Sequence, residues 1–358
     1  MAWLGSSDVC ANSNTAFFYG KPVPVDLLAH FEQVIVEPDN FENIDQLRAK
    51  DVDVFAYLSV GEINSSRVWF AEIPESWLLG ENTAWGSHIV DLSQRAWHEY
   101  LINKLMAPLW ERGYHGFFLD TLDSYQLITK DTKHRFVQKQ ALIDLIQEMH
   151  QRFPGVKLIL NRGFELLPDI AGDVVAVAAE SLFQGWNATS NSYDEVTESD
   201  RDWLLKKLNQ VHDELGLQII VIDYVSPIKR NLAREVANKI SALGFTPWVS
   251  NPSMDMMGIG GLEVFPKRIL VLYDGQDQTG GLQISKVYKL LARLFEYFGY
   301  TFEYVDAGKG LPNYCLVGQY TGIVTQFNGG ALLQSEVYKS WLKRQNDDGM
   351  KVVALGKH

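Results

Sequence analysis

The sequence predicts an α/β chain: a (β/α)8 TIM barrel followed by a small, cut-short flavodoxin-like α/β domain. Three observations predict it. Eight short apolar runs occur before residue 253 and alternate with amphipathic stretches. Gly113, Gly155, Gly216 and Gly244 stand just after such stretches, where a C-terminal helix glycine belongs. After Phe265-Pro266 the alternation starts afresh with RILVLY at Arg268–Tyr273.

The eight runs are Thr15–Tyr19, Gln33–Glu37, Val52–Val60, Gly116–Leu119, Lys157–Leu160, Val174–Ala179, Leu217–Asp223 and Phe245–Val249. Most are bounded by Gly, Pro, Asp or Asn, as strand ends should be. Helices are expected at Ser93–Arg112, Lys133–Phe153, Ser199–Leu215 and Ser226–Leu243. In the first of these Trp97, Tyr100, Leu101, Leu105, Leu109 and Trp110 recur at three- and four-residue steps. The long segment from Gly61 to Asp91 carries Trp69, Trp77 and Trp85. Long loops on the catalytic face of a barrel are where binding walls grow, so it is expected to form part of one.

The expected boundaries are an N-terminal extension at 1–14, the barrel at 15–266 and the second domain at 267–358. In that domain strands are expected at 268–273, Thr301–Val305, Thr321–Thr325 and Lys351–Leu355, with helices at Ile284–Phe298 and Glu336–Gln345. Gly275–Gly281 and Gly329-Gly330 match no phosphate-loop pattern and read as turns.

Composition narrows the function. Of the 358 residues 46% are hydrophobic and 21% charged, as in a globular protein with ample core. No apolar stretch reaches the ~20 residues of a membrane helix, and no secretory signal is visible. Two cysteines far apart, Cys10 and Cys315, argue against a disulfide framework or a cysteine zinc site. The first 266 residues carry 21 basic and 36 acidic side chains, whereas residues 267–358 carry 11 and 8. So acidic a barrel excludes nucleic acid as a natural partner and favours a neutral or cationic ligand.

The chemistry-bearing residues sit where the apolar runs end. At GFFLDTLDSY the run Phe117-Phe118-Leu119 stops at Asp120, with Asp123 three residues on. The other strand ends carry Tyr19, Glu37 with Asp39, Glu62, Asn161-Arg162, Glu180, Asp223-Tyr224, and Trp248 with Asn251. Carboxylates thus converge from five strands on the face where barrels place their sites. Glycoside hydrolysis needs a pair of carboxyl groups, with aromatic faces and amides to hold the sugars, and no cofactor or metal. Rival chemistries lack their parts. There is no His-x-His at the first strand, no Lys at a strand end and no G-x-S-x-G elbow. His115 precedes its strand, at the barrel's other end, and reads as structural or surface.

The motifs YLSVGE at Tyr57–Glu62, IVDL at 89–92, GFFLDTLDSY at Gly116–Tyr125 and AAESLF at Ala178–Phe183 resemble glycoside hydrolase family 114, the endo-α-1,4-polygalactosaminidases. The resemblance covers about residues 14–265, and within the family points to the hydrolase regions of bifunctional hydrolase–deacetylases of Pel exopolysaccharide biosynthesis. It implies that Asp120 and Glu180 are the catalytic acids. By analogy with retaining α-galactosidase-like barrels, Asp120 is the nucleophile and Glu180 the acid/base, about 5–5.5 Å apart. The remaining strand-end residues are assigned to the substrate. Glu37, Asp39, Glu62, Asp123 and Asp223 are candidates for ammonium groups. Tyr19, Tyr125, Tyr224 and Trp248 are candidates for stacking, and Asn161, Arg162 and Asn251 for hydroxyls. The implied ligand is a cationic amino-sugar polysaccharide. Exopolysaccharide secretion proteins are the implied partners, with a periplasmic or extracellular location. No deacetylase metal motif occurs, so no deacetylase activity and no metal are expected. Two other readings stay open on the residues alone: a non-catalytic glycan-binding module, or a scaffold that docks a partner through residues 268–358.

Overall fold

A computed structural model of the protein describes residues 14–275, 288–327 and 335–355. The expected extension up to residue 13, Cys10, the glycine-rich pieces beyond Gly275 and the first residues of the Ile284–Phe298 helix lie outside them.

All eight expected barrel strands form, each within a residue or two of its expected ends. They are β1 (Thr15–Phe18), β2 (Gln33–Val36), β3 (Asp53–Ser59), β7 (Gly116–Asp120), β8 (Lys157–Asn161), β9 (Ala176–Glu180), β12 (Gln218–Tyr224) and β13 (Thr246–Ser250). The intervening numbers belong to β4 (Glu62–Asn64), β5 (Leu78–Asn82), β6 (Ser87–Val90), β10 (Gln184–Asn187) and β11 (Ser192–Glu195). The eight pair in parallel in chain order around one sheet. Strands covered on both faces need no polar side, hence the continuous apolar runs. Phe17, Phe118, Ile159, Val177 and Val221 are buried completely or nearly so.

The sheet closes through a loop rather than a ladder. Between β1 and β13 the Tyr19 N–H donates to the Met254 carbonyl at 2.6 Å, and Val249 exchanges two backbone bonds with Ile259.

The expected helices form as well. Thr132–Arg152 is capped by Asp131, which accepts from the Lys133 and His134 N–H groups. Glu198–Leu215 starts at Thr197 and stops at Gly216 in the left-handed region (φ 65°). The expected single helix over 93–112 is one run with a wide π turn at Leu101–Met106. Pro108 lacks an N–H and its ring crowds the carbonyl four residues back, which a wider turn relieves.

The long Gly61–Asp91 segment is itself structured. It forms a three-stranded antiparallel sheet in the order β4-β6-β5. An aromatic cluster anchors it to the helix below: Trp69 lies 5.9 Å from Tyr100, which stacks on Trp97.

After the barrel, β14 (Arg268–Tyr273), β15 (Thr301–Asp306), β16 (Gly322–Gln326) and β17 (Val352–Leu355) make a separate parallel sheet. Its order, β15-β14-β16-β17, is the flavodoxin-like order over four strands. The helix Glu336–Asp347 packs Tyr338 and Trp341 on one face of it.

Candidate active site

Adjacent barrel strands bring four polar side chains to one level at the C-terminal mouth. Asp120 ends β7, Asn161 ends β8, Glu180 ends β9 and Tyr224 ends β12. Each carboxylate is fully engaged. Asp120 accepts from the Tyr57 hydroxyl at 2.7 Å, from Asn161 Nδ2 at 2.8 Å and from the Thr121 N–H at 2.8 Å. Glu180 accepts from the same Asn161 nitrogen at 2.7 Å and from the Tyr224 hydroxyl at 2.6 Å. One amide nitrogen therefore bridges the two acids, so its two acceptor oxygens lie at most about 5.5 Å apart.

Burial raises both carboxyl groups above their ordinary range, and the Asp120 charge pushes Glu180 up further. Two acids this close disfavour each other's ionisation. Asp120 receives three donors and Glu180 two, and donors favour the ionised form. The donor count therefore favours the charge on Asp120 over Glu180. The same burial raises the hydroxyls of Tyr19, Tyr57 and Tyr224 well above the ordinary tyrosine value, which keeps them neutral.

The backbone is strained directly after Asp120, Asn161 and Glu180. Thr121, Arg162 and Ser181 follow Asp120, Asn161 and Glu180 directly, and all three have left-handed φ (64°, 58° and 65°). Such conformations cost about 1–3 kcal/mol for non-glycine residues and persist only when the surroundings hold them. The kinks turn the Arg162 and Ser181 N–H groups onto carbonyls of the neighbouring strands, at 2.7 and 2.8 Å. Thr121 is held by its own hydroxyl, which lies 2.9 Å from both Ser59 Oγ and the Gly61 N–H. Gly61 is required there, because a Cβ would lie 2.2 Å from the Thr121 carbonyl oxygen. Gly61→Ala is expected to push Thr121 away, costing ~1–3 kcal/mol of stability and misplacing Asp120. Thermal unfolding measured beside kcat checks this, since the activity loss should exceed what the unfolded fraction explains.

These side chains form the floor of a cavity of about 840 Å³. Its lining includes Tyr19, Glu37, Asp39, Glu62, Asp123, Asn161, Arg162 and Tyr224, and from the antiparallel insert Trp69 and Trp85. The insert thus borders the cleft as expected, although Trp77 packs against Tyr100 instead.

Four expected substrate contacts are corrected. Trp248 is fully buried, edge-on to Phe31 with ring centres 5.6 Å apart, and is core. Tyr125 is buried in the short helical turn that follows β7 and does not line the cavity. Asp223 is fully buried, and its carboxylate accepts the backbone N–H groups of Leu182, Phe183 and Gln184. It fastens the loop after Glu180, with burial pushing its pKa up to about 6. Asn251 donates to Asp255 at 2.6 Å and spans its own turn, outside the cavity lining. Glu37 and Asp39 do line the cavity but are already paired, both with Arg67: Glu37 through two bonds of 2.9 and 2.7 Å and Asp39 at 2.8 Å. Glu62 is buried and accepts from Asn82 at 2.9 Å and from Ser87. Asp123 is exposed at the rim.

Sequence reasoning missed Tyr57 and Arg67. The signal for Tyr57 was its period-two spacing from Ser59 at the end of β3, which puts both on the inner face. Arg67 left none, since its partners lie about thirty residues earlier.

Asn161→Ala removes the bridging donor and is expected to lower kcat by ~10- to 100-fold, the worth of hydrogen bonds to charged groups. Losing donors to the ionised forms raises both carboxyl pKa values. The high-pH limb of the rate profile should therefore move to higher pH. An unmoved profile with only a higher KM would make Asn161 a sugar ligand instead.

Among the described residues no three His, Cys, Asp or Glu side chains gather as metal ligands, and no helix is long and apolar enough to cross a membrane. The family model for glycoside-hydrolase family GH114 matches residues 14–268. No curated protein sequence matches the chain. Among solved structures, the glycoside hydrolase domain of PelA from Pseudomonas aeruginosa is 37% identical, covering 71% of this chain and all of that one, with a TM-score of 0.66. A single-residue variant of that domain matches at 36% identity with the same coverage and TM-score. Ega3 from Aspergillus fumigatus, solved with galactosamine, is 15% identical over 68% of this chain and 92% of that one, with a TM-score of 0.49.

Proposed function

Because the chain belongs to glycoside-hydrolase family GH114, we propose that it is an endo-acting hydrolase of α-1,4-linked galactosamine and N-acetylgalactosamine polymers of the Pel type, with residues 15–266 carrying the reaction. The single observation that carries this reading is the pair of buried carboxyl groups tied by one amide at the floor of an open cleft. A gap of at most about 5.5 Å between the bridged oxygens supports retention, since inverting pairs stand ~6.5–9.5 Å apart to admit a water.

Asp120 attacks the anomeric carbon while Glu180 gives its proton to the departing glycosidic oxygen. The bond from Asp120 to the sugar forms as the bond to the leaving chain breaks. Glu180, now ionised, takes a proton from water, which displaces Asp120 and restores the starting state. Trp69 and Trp85 offer ring faces to flanking sugars, and Asp123 and the acidic barrel surface attract ammonium groups. Arg67 offsets only one of the two charges of Glu37 and Asp39, so this corner of the cleft stays acidic and favours a cationic sugar beside it. A periplasmic or extracellular location follows the family resemblance.

The test is release of reducing ends from partially deacetylated α-1,4-galactosaminogalactan. Chain length should fall faster than monomer appears, as for endo cleavage. KM for the cationic polymer should rise with salt, while KM for a fully acetylated one should not, because only the first interaction is screened. A protein that binds the polymer without cutting it would be a glycan-binding module.

A further inference from the structure

The loop leaving β13 touches the catalytic cavity and the C-terminal sheet at once. Its first turn borders the cavity through Pro252 and Met254. Met254 has a left-handed φ of 51°, and its carbonyl receives the Tyr19 N–H. The Tyr19 ring lies 5.1 Å from the ring of Tyr57, whose hydroxyl holds Asp120. A continuous chain of contacts thus runs from the loop to an acid of the site.

Two residues further on, the loop leaves the barrel. The Met256 side chain is 2% exposed and packs with Leu270, Leu272, Leu316 and Trp341 in the core of the C-terminal sheet domain. The next residue is clamped by backbone. A Cβ on Gly318 would lie 2.7 Å from Met257 Cβ and 2.8 Å from the Met257 carbonyl oxygen, and Gly318 has a φ of 75°. On the barrel side the same carbonyl accepts from Arg230 at 2.9 Å. A second catalytic-face loop also meets this domain, where Gly349 sits against Ile228.

We propose that the C-terminal sheet domain is a positioning element of the active site: Met256, anchored in its core, fixes the 251–257 loop and, through the bond from Tyr19 to Met254, the tyrosine pair beside Asp120. Buried packing of this kind transmits displacement because interiors are close-packed and do not yield locally. The effect on rate rests on the glycosidase reading, but the effect on Tyr19 does not.

The experiment uses the full chain. Met256→Ala is compared with Ile269→Ala, which empties a buried site on the other face of the same sheet. Two quantities are read well below either melting temperature: hydrogen exchange of the Tyr19 amide, and kcat/KM on the polymer. Met256→Ala should speed Tyr19 exchange and lower kcat/KM, each at least tenfold. Ile269→Ala should lower the melting temperature and leave both unchanged. Met256→Leu should restore both. If Met256→Ala fails to fold, Gly318→Ala displaces Met257 by another route and should give the same pattern. Unchanged Tyr19 exchange in the loop variants overturns the proposal, as does an equal change in Ile269→Ala. If the parent cleaves no glycan, Tyr19 exchange still decides it.

Discussion

Glu180→Gln should lower kcat on the natural polymer by ~10²–10⁴, the usual worth of a positioned general acid, and leave the protein at least as stable as before. The loss follows from the leaving group. A sugar hydroxyl departs poorly as an alkoxide, and in the proposed mechanism Glu180, whose pKa burial raises, supplies its proton. An aryl glycoside whose phenolate needs no proton should therefore show little loss in its first step and a burst before slow turnover. Azide should speed that turnover by attacking the glycosyl-enzyme and give the α-glycosyl azide, the configuration of the substrate. A loss of equal size on both substrates, with no azide product, would remove Glu180 from the acid role.

The stability half of this prediction has a definite sign. A carboxyl group whose pKa is raised by folding stabilises the native state least where it is forced to ionise. Its contribution is intact below the unfolded value of ~4.3 and declines as pH rises through the folded value. Glutamine carries no such penalty. It keeps both hydrogen bonds, with its oxygen toward Asn161 and its nitrogen toward the Tyr224 oxygen. The melting temperature of Glu180→Gln should exceed that of the parent at pH 8, and the gap should close toward pH 4. A gap that widens on acidification would mean that Glu180 is held ionised by a partner.

The elements that sequence reasoning read well are those whose signal is local. Most barrel strands are apolar runs ended by Gly, Pro, Asp or Asn, and Asp120 and Glu180 are visible as the first polar residues after such runs. What a run's end does not reveal is the side to which each side chain turns. In β12 the period of two sends Tyr224 inward to Glu180 and its neighbour Asp223 outward to the backbone of the next loop. Both had looked like strand-end ligands. Trp248 was misread for a different reason: it pairs in register with Ile222, on the face of Tyr224, yet is fully buried in the core. Tyr57 was passed over because a tyrosine inside an apolar strand reads as core until its hydroxyl is seen on Asp120. The left-handed residues after Asp120, Asn161 and Glu180 are Thr, Arg and Ser, and none of these advertises such a backbone as glycine does. Arg67 reaches Glu37 and Asp39 only through the tertiary fold. Local polarity was legible, and orientation and long-range pairing were not.

Asp120→Asn should be the most damaging single change, with kcat lowered by ~10⁴–10⁶ as when other nucleophiles are removed. The fold should survive it. Asp120 Oδ1 takes two donors, from Asn161 and Thr121, while Oδ2 faces only the Tyr57 hydroxyl. An asparagine placed with its oxygen on the first pair and its nitrogen toward Tyr57 keeps every bond, because a phenol oxygen also accepts. What is lost, on the proposed mechanism, is the nucleophile and the negative charge that steadies the developing oxocarbenium ion. With Asp120 neutral, the charge that pushed Glu180 up is gone, so the Glu180 carboxyl should ionise at lower pH than in the parent. The smaller Asp120→Gly variant leaves space beside the anomeric carbon. There azide should attack an activated α-glycoside from the opposite face and give the β-glycosyl azide. The two variants therefore give azides of opposite configuration if Asp120 is the nucleophile and Glu180 the acid. The α product from Asp120→Gly would exchange the two roles. Absence of rescue in both, with an inverted sugar from the parent, would mean that water attacks directly and that the close pair of acids serves an inverting reaction.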